Sequence, residues 1–563
     1  MDKYNQWLNH SDLDEELRQE LQLMSEEMKH DAFYTDLEFG TAGMRGLLGA
    51  GCNRMNIYTV RKANMGLAAF ISACGQLACE QGVAIAYDNR YKSKEFAYES
   101  ARVLAMHNIK SYVFDSLRPT PELSFAIRYL KCFSGIVITA SHNPKEYNGY
   151  KIYDANGCQM IPEYVDKIIP TIKAIKNELD IKINLNAEQE KLINTISSEV
   201  DIPYVNEVLK IQLNPLIDKS NLKIVFTPQH GTALKPVEAV FTAAGYDYIT
   251  VNEQSQPDPA FSNTKTPNPE QKEAYELALQ YAKENKADIV LSTDPDADRI
   301  GIAIRQNDDY ILMTGNQTAA VLLEYIFSQN LKNQTMPEKP IMFNTIVTGD
   351  LGEKIADSYN VKTEKTLTGF KYIGDRIAHY EKTKAFQFIF GYEESYGYLI
   401  SDFVRDKDAV QASLMIAEAA AYYKYFNKTL YDVLLELYQK HGWYQESQVS
   451  INGEGAQGAE MIKNLMATLR EFPLRKIGEL GVIRFEDYYE QKAYELYKNE
   501  QLTLPQADVL KYFLADGSWI AIRPSGTEPK CKIYYCIAGK DEFSLVQKEK
   551  HLKKAMSEIL KTK

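Results

Sequence analysis

The chain has 563 residues, of which 45% are hydrophobic and 25% charged, and a formal net charge of −12. This length predicts several domains, because a single hydrophobic core rarely grows beyond about 250–300 residues. The negative charge argues against a general nucleic-acid binder, and without a run of about 18 apolar residues neither a transmembrane helix nor a membrane partner is expected.

The cysteines and the N-terminus indicate the compartment. Seven cysteines are an odd number and form no CxxC pair, which favours reduced intracellular thiols over a disulfide frame or a zinc site. Residues 1–13 carry charge and lack the apolar segment of a signal peptide. We therefore expect a soluble, cytoplasmic protein.

The first part of the chain alternates strands and helices, which is typical of a parallel α/β layer arrangement. The predicted elements are an acidic helix at 11–30, strands at 83–87, 111–114 and 136–138, a helix at 94–108, and a charged helical link over 162–205.

Four glycines surround Arg45 in the stretch 39–49. Glycine lets backbone N–H groups approach a ligand closely, and the forked guanidinium of arginine suits a phosphate. A plain turn is the alternative interpretation of this stretch.

The stretch TASHNP at 139–144 places Ser141 on a loop directly after a buried strand. His142 is adjacent and Lys151 follows ten residues later, so the serine can serve as a nucleophile and the lysine can meet an anion. A polar turn with a serine cap is the structural alternative.

The strand–helix alternation restarts twice, and a distinct tail follows. The second series has strands at 223–226 and 287–292 and helices at 233–244 and 270–286; the third has strands at 341–347 and 386–390 and helices at 408–426 and 428–441; the tail has strands at 519–522 and 532–537.

Asp294, Asp296 and Asp298 alternate after the strand at 287–292. In extended backbone, alternate side chains point the same way and can share a cation, and oxygen ligands favour Mg²⁺. An EF-hand is excluded, because its sixth position lacks glycine and Arg305 stands where glutamate is required. A solvated acidic loop and an aspartate-nucleophile phosphatase remain alternatives, but Arg299 favours a phosphate site.

Two further polar stretches lie in the third series. Glu393 and Ser395 stand between aromatic residues and offer the acceptors that sugar hydroxyls need, although an ordinary turn explains them too. Lys407 lies among carboxylates, which normally keep a lysine charged. The residues alone favour a solvated role for Lys407.

The tail contains the sequence RPSGTEP at 523–529. Arg523, two hydroxyls and glycine N–H groups within five residues resemble a phosphate cradle without the Walker lysine. A Pro/Gly hairpin loop is the alternative. One cation site, one hydroxyl nucleophile and several phosphate contacts together suit phosphoryl transfer, which depends mainly on positioning and charge.

Five motifs occurring in order, GTAGMRG, TASHNP, DPDADR, GYEESYG and RPSGTEP, resemble the α-D-phosphohexomutase family and its phosphoglucomutase branch over nearly the whole chain. The resemblance implies three domains with a shared mixed α/β layer core and a C-terminal α+β domain. We expect domain I at 1–205 with the phosphoserine loop, II at 206–320 with the metal loop, III at 321–441 with the sugar loop and IV at 442–563 with the phosphate loop.

The resemblance also implies residue roles. Ser141 would be carried as a phosphoserine, and Mg²⁺ would be held by its phosphate and the three aspartates. His142, Lys151 and Lys407 would act in catalysis, Lys407 at the position of a proposed general base. Substrate binding would involve Arg45, Arg299, Thr368, Gly369, Lys371, Glu393, Ser395, Arg523, Ser525, Gly526 and Thr527.

The implied reaction interconverts glucose 1-phosphate and glucose 6-phosphate through a bound glucose 1,6-bisphosphate, which also primes Ser141. The EES form of the sugar loop resembles glucose-type members, whereas TASHNPKEYNGYK and RPSGTEPK also resemble pentose phosphate mutases. A phosphopentomutase is therefore the alternative. A Mg²⁺-dependent sugar phosphatase and a silent sugar-phosphate binding protein are more remote, and a monomer or a homodimer is expected.

Overall fold

The computed structural model describes residues 2–40, 43–453, 455–495, 498–525 and 530–562. The chain divides into two compact units, one of residues 1–315 and 370–429 and the other of residues 316–369 and 430–563. Within the described ranges, no helix has the length and apolar character needed to cross a membrane.

Three helices open the first unit: α1 (Asp2–Leu8), α2 (Glu15–Leu23) and α3 (Glu26–Phe33). The single helix predicted at 11–30 is wrong, because Met24 has an extended backbone and Ser25 starts a new helix by accepting the N–H of Met28. Serine is a favoured N-cap because its oxygen satisfies such a donor.

A six-stranded mixed sheet follows, with the order β1-β5-β4-β2-β3-β6. Its elements are β1 (Met44–Leu47), α4 (Ile57–Ala73), α5 (Gln76–Gln81), β2 (Val83–Tyr87), α6 (Ser93–Met106), β3 (Ser111–Phe114), α7 (Thr120–Tyr129), β4 (Ser134–Ile138), β5 (Tyr147–Tyr153), α8 (Pro162–Lys173), α9 (Ala187–Glu190) and β6 (Ile193–Ile196). Every residue of β2 and β4 is buried, as expected for central strands covered by helices on both faces.

The predicted helical link at 162–205 contains a strand that the sequence analysis missed. β6 pairs in parallel with β3 at the edge of the sheet. Its sequence Ile-Asn-Thr-Ile is rich in β-branched residues, which favour a pleated, half-buried surface. The remainder of the stretch is helical only in part.

The second sheet of this unit has five strands in the order β11-β10-β9-β7-β8. Its elements are α10 (Ser198–Leu209), β7 (Lys223–Thr227), α11 (Leu234–Ala244), β8 (Asp247–Thr250), α12 (Glu276–Asn285), β9 (Ile289–Thr293), β10 (Ile300–Gln306) and β11 (Asp309–Met313). The connection between β9 and β10 carries the three aspartates.

The third α/β series contains a parallel pair, β12 with β13, and an antiparallel pair, β14 with β15. Its elements are α13 (Gly315–Lys332), β12 (Pro340–Thr345), α14 (Leu351–Ser358), β13 (Lys362–Thr366), α15 (Phe370–Thr383), β14 (Gln387–Glu393), β15 (Gly397–Leu399), α16 (Ala409–Tyr425) and α17 (Leu430–His441).

The C-terminal part forms an antiparallel sheet in the order β16-β23-β22-β21-β18-β19-β20, with β17 paired to β18. Its elements are β16 (Trp443–Asn452), α18 (Gly455–Glu471), β17 (Lys476–Ile477), β18 (Leu480–Asp487), β19 (Lys492–Glu495), β20 (Asn499–Gln501), β21 (Leu510–Leu514), β22 (Trp519–Pro524), β23 (Lys530–Gly539) and α19 (Glu542–Thr562). A mixed α/β core followed by a different α+β tail confirms the predicted fold class.

All seven cysteines are free thiols. Cys74, the residue that follows α4, is exposed, whereas the other six are buried.

Candidate functional site

The predicted nucleophile lies on the loop between β4 and β5. These strands pair in antiparallel fashion, so the loop 139–146 is the tip of a hairpin. Ser141 adopts a left-handed backbone with φ of 51°, which is uncommon for a residue with a side chain. Its N–H donates to Thr139 Oγ1 at 2.8 Å, and this bond supports the unusual conformation.

The hydroxyl of Ser141 reaches the aspartate loop. Its Oγ donates to Asp294 Oδ2 at 2.6 Å and lies 3.2 Å from His142 Nδ1. Ser141 is only 3% exposed. The side chains predicted as nucleophile and cation ligand are therefore in direct contact, although 153 positions separate them in the sequence.

The aspartate loop is a turn rather than the extended segment that the sequence suggested. The N–H of Ala297 donates to the carbonyl of Asp294 at 3.0 Å, and Ala297 has φ of 56°. Asp294 Oδ1 accepts the N–H groups of Asp298 and Arg299 at 3.1 and 3.0 Å. The turn brings a carboxylate oxygen of Asp294, Asp296 and Asp298 within 4.8 Å of one another.

The three carboxylates differ in their electrostatic environments. Burial, reinforced by the charges of Asp296 and Asp298, raises the pKa of Asp294 well above its ordinary value. Burial alone would raise the pKa of Asp298 as well, but the charges of Lys407 and Lys151 hold it below its usual range. The turn therefore concentrates negative charge that only neighbouring cations balance.

Two predicted lysines supply part of that positive charge. Lys151 Nζ lies 3.5 Å from Asp296 Oδ2 and 3.9 Å from Asp298 Oδ2. Lys407 Nζ lies 3.0 Å from Asp298 Oδ2 and 3.1 Å from Asp406 Oδ1. Burial opposes the charge of Lys407, but these two carboxylates raise its pKa above the ordinary lysine value, so its amine is an ammonium at neutral pH.

Two of the three predicted arginines, Arg299 and Arg45, lie at the aspartate and Ser141 loops. Arg299 donates to Glu270 Oε1 at 2.6 Å, and its Nε lies 3.6 Å from Asp298 Oδ1. Arg45, on β1, is exposed and donates to Asn143 Oδ1 at 2.8 Å. Arg299 thus lies at the aspartate loop and Arg45 at the Ser141 loop.

The predicted sugar loop is the tip of a tight hairpin. β14 continues through Glu393, residues 394–396 turn, and β15 begins at Gly397. Glu393 is buried and its charge raises the pKa of Lys407, whereas Ser395 is half-buried in the turn. A Cβ added to Gly397 would lie 2.0 Å from Lys407 Cδ, so this glycine makes room for the lysine.

The remaining predicted residues lie on other elements. Lys371 is buried on α15, with its Nζ 5.3 Å from the ring centre of Tyr372. Within the second unit, Thr368 and Gly369 follow β13, and Gly369 has φ of 118°. Thr368 is half-buried, and its hydroxyl oxygen is buried with no hydrogen-bond partner in the described part of the chain.

The predicted phosphate cradle is described only in part. Arg523 is half-buried on β22 opposite Lys532, and the N–H of Ser525 donates to the carbonyl of Lys530 at 2.7 Å. These contacts agree with the two strands expected on either side of the loop. Gly526 and Thr527 lie outside the described residues.

Several side chains at the site were not identified from the sequence. Thr120, in a stretch that reads only as a stiff RPTP loop, donates its hydroxyl to Asp296 Oδ2 at 2.9 Å. Asp406 accepts from both Lys407 and the hydroxyl of Tyr153. Glu270 pairs with Arg299. No local pattern marks the contacts of Thr120 and Glu270, because their partners lie in other parts of the chain, whereas Asp406 is one of the carboxylates already noted beside Lys407.

The residues present suit a divalent cation. Asp296 Oδ1 and Asp298 Oδ1 are buried and have no hydrogen-bond partner among the residues that the structure describes. Buried carboxylate oxygens of this kind are costly unless they are paired or bind a metal. Three convergent carboxylates with two unsatisfied oxygens therefore form a site that could bind a metal.

Four family models match the chain in order. They are the phosphoglucomutase/phosphomannomutase alpha/beta/alpha domains I, II and III, at residues 36–179, 202–307 and 314–441, and the C-terminal domain, at residues 481–549.

Curated relatives match along most of the chain. A phosphoglucomutase from Staphylococcus epidermidis is 39% identical over 526 residues, covering 92% of this chain and 94% of the relative. A phosphoglucomutase from Staphylococcus aureus is 37% identical over 524 residues, covering 92% and 93%. The resemblance inferred from the five motifs is thereby confirmed.

Solved structures support the same fold. A putative phosphomannomutase from Thermus thermophilus superposes with a TM-score of 0.69 at 19% identity, covering 94% of this chain and 99% of the other. Parafusin from Paramecium gives 0.66 at 20% identity, covering 92% and 94%. From its four matched domains and its relatives, this chain belongs to the phosphoglucomutase/phosphomannomutase family.

Proposed function

We propose that this chain interconverts glucose 1-phosphate and glucose 6-phosphate by two phosphoryl transfers through Ser141. The observation that carries the proposal is the 2.6 Å hydrogen bond from Ser141 Oγ to Asp294 Oδ2, inside a cluster of three convergent carboxylates. The phosphoglucomutase relatives favour glucose as the sugar.

In the first transfer, the bond between phosphorus and Ser141 Oγ breaks as a bond forms to a hydroxyl of the sugar monophosphate. The product is glucose 1,6-bisphosphate. In the second transfer, Ser141 takes the other phosphoryl group, which regenerates the phosphoserine and releases the isomer. Glucose 1,6-bisphosphate also primes a chain whose Ser141 is unmodified.

Asp294, Asp296 and Asp298, together with the phosphate on Ser141, would hold Mg²⁺. The ion is favoured over softer metals because all the ligands are oxygens. When bound, it would neutralise charge on the phosphoryl oxygens. Lys151, Arg299 and Arg45 would add positive charge around the transferred group, and His142 would contact the Ser141 oxygen.

We assign Lys407 a proton-transfer role that begins from the ammonium form. The charges of Asp298 and Asp406 keep it protonated in the unliganded chain. As an ammonium, it can give a proton to Ser141 Oγ as that oxygen leaves phosphorus, and then take up the proton that the attacking sugar hydroxyl loses. Its role as a base is this second step, and the second transfer runs the same exchange in reverse.

Substrate contacts follow the family resemblance. Glu393 and Ser395 would accept from sugar hydroxyls, with Thr368, Gly369 and Lys371 also contributing to substrate binding. Arg523, Ser525, Gly526 and Thr527 would bind the phosphate that is not transferred. The proposed domain limits remain 1–205, 206–320, 321–441 and 442–563. We further propose a cytoplasmic enzyme that is a monomer or a homodimer, which light scattering would distinguish.

The first test compares kcat/KM for glucose 1-phosphate and ribose 1-phosphate, with Mg²⁺ and a trace of the matching bisphosphate. We expect a strong preference for glucose. A preference for ribose would replace the hexose assignment by a phosphopentomutase and leave the Ser141 chemistry intact.

The second test removes the nucleophile. Ser141→Ala is expected to lose nearly all transfer, whereas Ser100→Ala, which removes another buried serine hydroxyl, should retain it. Release of free phosphate by Ser141→Ala at the wild-type rate would support an aspartate-nucleophile phosphatase instead. Absence of any turnover by the wild type would support a binding protein.

A further inference from the structure

A buried arginine outside the predicted site contacts the nucleophile loop. Arg90 follows β2, and its side chain is completely buried. Its guanidinium donates to four backbone carbonyl oxygens: Ser141 at 2.6 Å, Asn143 at 2.5 Å, Pro144 at 2.8 Å and Tyr147 at 3.1 Å. One side chain thus cross-links four backbone carbonyl groups at the hairpin tip.

Arg90 is itself fixed in place. Its Nε lies 3.3 Å from Asp88 Oδ2, and Asp88 Oδ1 accepts from Ser93 Oγ at 2.7 Å and from the N–H of Arg90 at 3.0 Å. The guanidinium also lies over the ring of Phe261, 5.2 Å from its centre. A planar, forked cation held in this way presents its donors in a fixed geometry.

The contacts bear on the strained residue of the loop. Ser141 has a left-handed backbone, and such a conformation persists when its surroundings over-determine it. The N–H of Ser141 is held by Thr139 and its carbonyl by Arg90. Both peptide groups that flank the nucleophile are thereby fixed.

The same contacts alter the electrostatic potential at the loop that would carry the phosphoryl group. Carbonyl oxygens carry partial negative charge, and those bonded to Arg90 are directed at a cation. We propose that Arg90 is a positioning residue that sets the orientation of Ser141 for phosphoryl transfer. This inference rests on the proposed function for its kinetic consequence.

The kinetic test uses Arg90→Ala. Misplacement of a reacting group by about 1 Å can cost on the order of 100-fold in rate, so we expect kcat to fall by about that factor while KM changes little. Added guanidinium ion, at concentrations that leave the wild type unaffected, should restore part of kcat because it can fill the vacated site. The same concentration of sodium chloride should not.

Arg61→Ala provides the matched control. Arg61 lies on α4 of the same sheet domain, its Nε is 2.5 Å from Glu99 Oε1, and it contacts the ring of Tyr58. Arg61→Ala removes the same side-chain atoms as Arg90→Ala, but from an ion pair with Glu99. A fall in kcat equal to that of Arg90→Ala, or equal rescue by guanidinium, would overturn the proposal.

A second readout is independent of the proposed reaction. Amide hydrogen exchange, measured by mass spectrometry, should accelerate in the segment 139–147 of Arg90→Ala and slow again with guanidinium. If the wild type isomerises no sugar phosphate, the proposed function fails, and exchange alone decides the positioning role. Unchanged exchange in 139–147, or kcat within threefold of wild type in an active enzyme, contradicts it.

Arg90→Lys covers the case in which the alanine variant does not fold. It retains the buried charge but has a compact ammonium with three donors in place of the planar fork. We expect lower kcat and faster exchange at 139–147 for this variant. Wild-type values of both would overturn the inference.

Discussion

Thr120 connects the N-terminal end of α7 to the proposed metal site. Its hydroxyl donates to Asp296 Oδ2 at 2.9 Å, and its N–H donates to the carbonyl of Asp296 at the same distance. A group that hydrogen-bonds to a metal ligand fixes the orientation of that ligand, and its loss typically weakens metal binding by about 10- to 100-fold. The orientation of the Asp296 carboxylate therefore depends on a residue outside the aspartate loop.

Thr120→Val is expected to raise the Mg²⁺ concentration for half-maximal activity by about 10- to 100-fold, because Asp296 loses an orienting donor. Direct Mn²⁺ binding, followed by electron paramagnetic resonance, should weaken in parallel. Thr171→Val is the control, since the hydroxyl of Thr171 donates only to backbone carbonyls of Gly66 and Ile168. Coincident metal titrations of the two variants would contradict the role of Thr120.

At the scale of elements, the loop after β7 supports the aspartate turn. The N–H of Thr232 donates to the carbonyl of Pro295 at 2.8 Å. A Cβ added to the neighbouring Gly231 would lie 2.5 Å from both Cα and O of Pro295. These are backbone atoms of the aspartate turn, so one of the two loops would have to move.

Gly231→Ala should therefore destabilise the protein by about 1–3 kcal/mol, the usual cost of overpacking, and should increase the Mg²⁺ requirement. Calorimetry and Mg²⁺ activation curves measure the two effects. Gly481→Ala is the control, because an added Cβ there meets no atom within 4 Å. Wild-type stability and Mg²⁺ response in Gly231→Ala would show that the turn tolerates displacement.

Much of the site was predictable because its main groups lie in short motifs after strands. Ser141 and the three aspartates are recognisable in this way, and the structure places them together. Thr120 was not predictable, because its partner Asp296 is 176 positions away. The turn at 294–298 was missed for a different reason: alternating aspartates suggest extended backbone, whereas the structure has a left-handed Ala297 and a hydrogen bond from its N–H to the carbonyl of Asp294.

At the scale of the whole molecule, charge is distributed unevenly. The formal net charge is −12, yet Lys151, Lys407 and Arg299 converge on the aspartates. A substrate dianion must therefore be attracted by a local cluster of cations against the field of an acidic body.

Stability also depends on a buried cation in the second unit. Lys511 is 1% exposed, donates to the carbonyl of Ile346 at 2.7 Å and lies 3.9 Å from a ring centre of Trp519. Burial, assisted by the charge of Lys365, lowers the pKa of Lys511 to about 7. Unfolding returns this pKa to about 10.4, so the unfolded chain binds more protons between these values.

Protonated Lys511 therefore lowers the free energy of unfolding at and below pH 7. This destabilisation decreases as the pH rises toward 10. We expect the melting temperature of Lys511→Met, relative to wild type, to be highest near pH 6–7 and to decline toward pH 9. Scanning calorimetry over this range measures the difference.

Lys548→Met serves as the comparison for Lys511→Met. Lys548 pairs with Asp516 at a partly exposed position. The difference in melting temperature between Lys548→Met and wild type should therefore stay nearly constant over the same pH range. A flat difference for Lys511→Met would mean that Lys511 remains protonated throughout.

The distribution of thiols has a practical consequence for spectroscopy. Because Cys74 is the exposed cysteine and the other six are buried, a maleimide dye should attach at this residue in the native chain without removal of any cysteine. The label would sit at the C-terminal end of α4, whereas Ser141 lies on the loop between β4 and β5. A single fluorophore could then report on the working enzyme with its natural sequence intact.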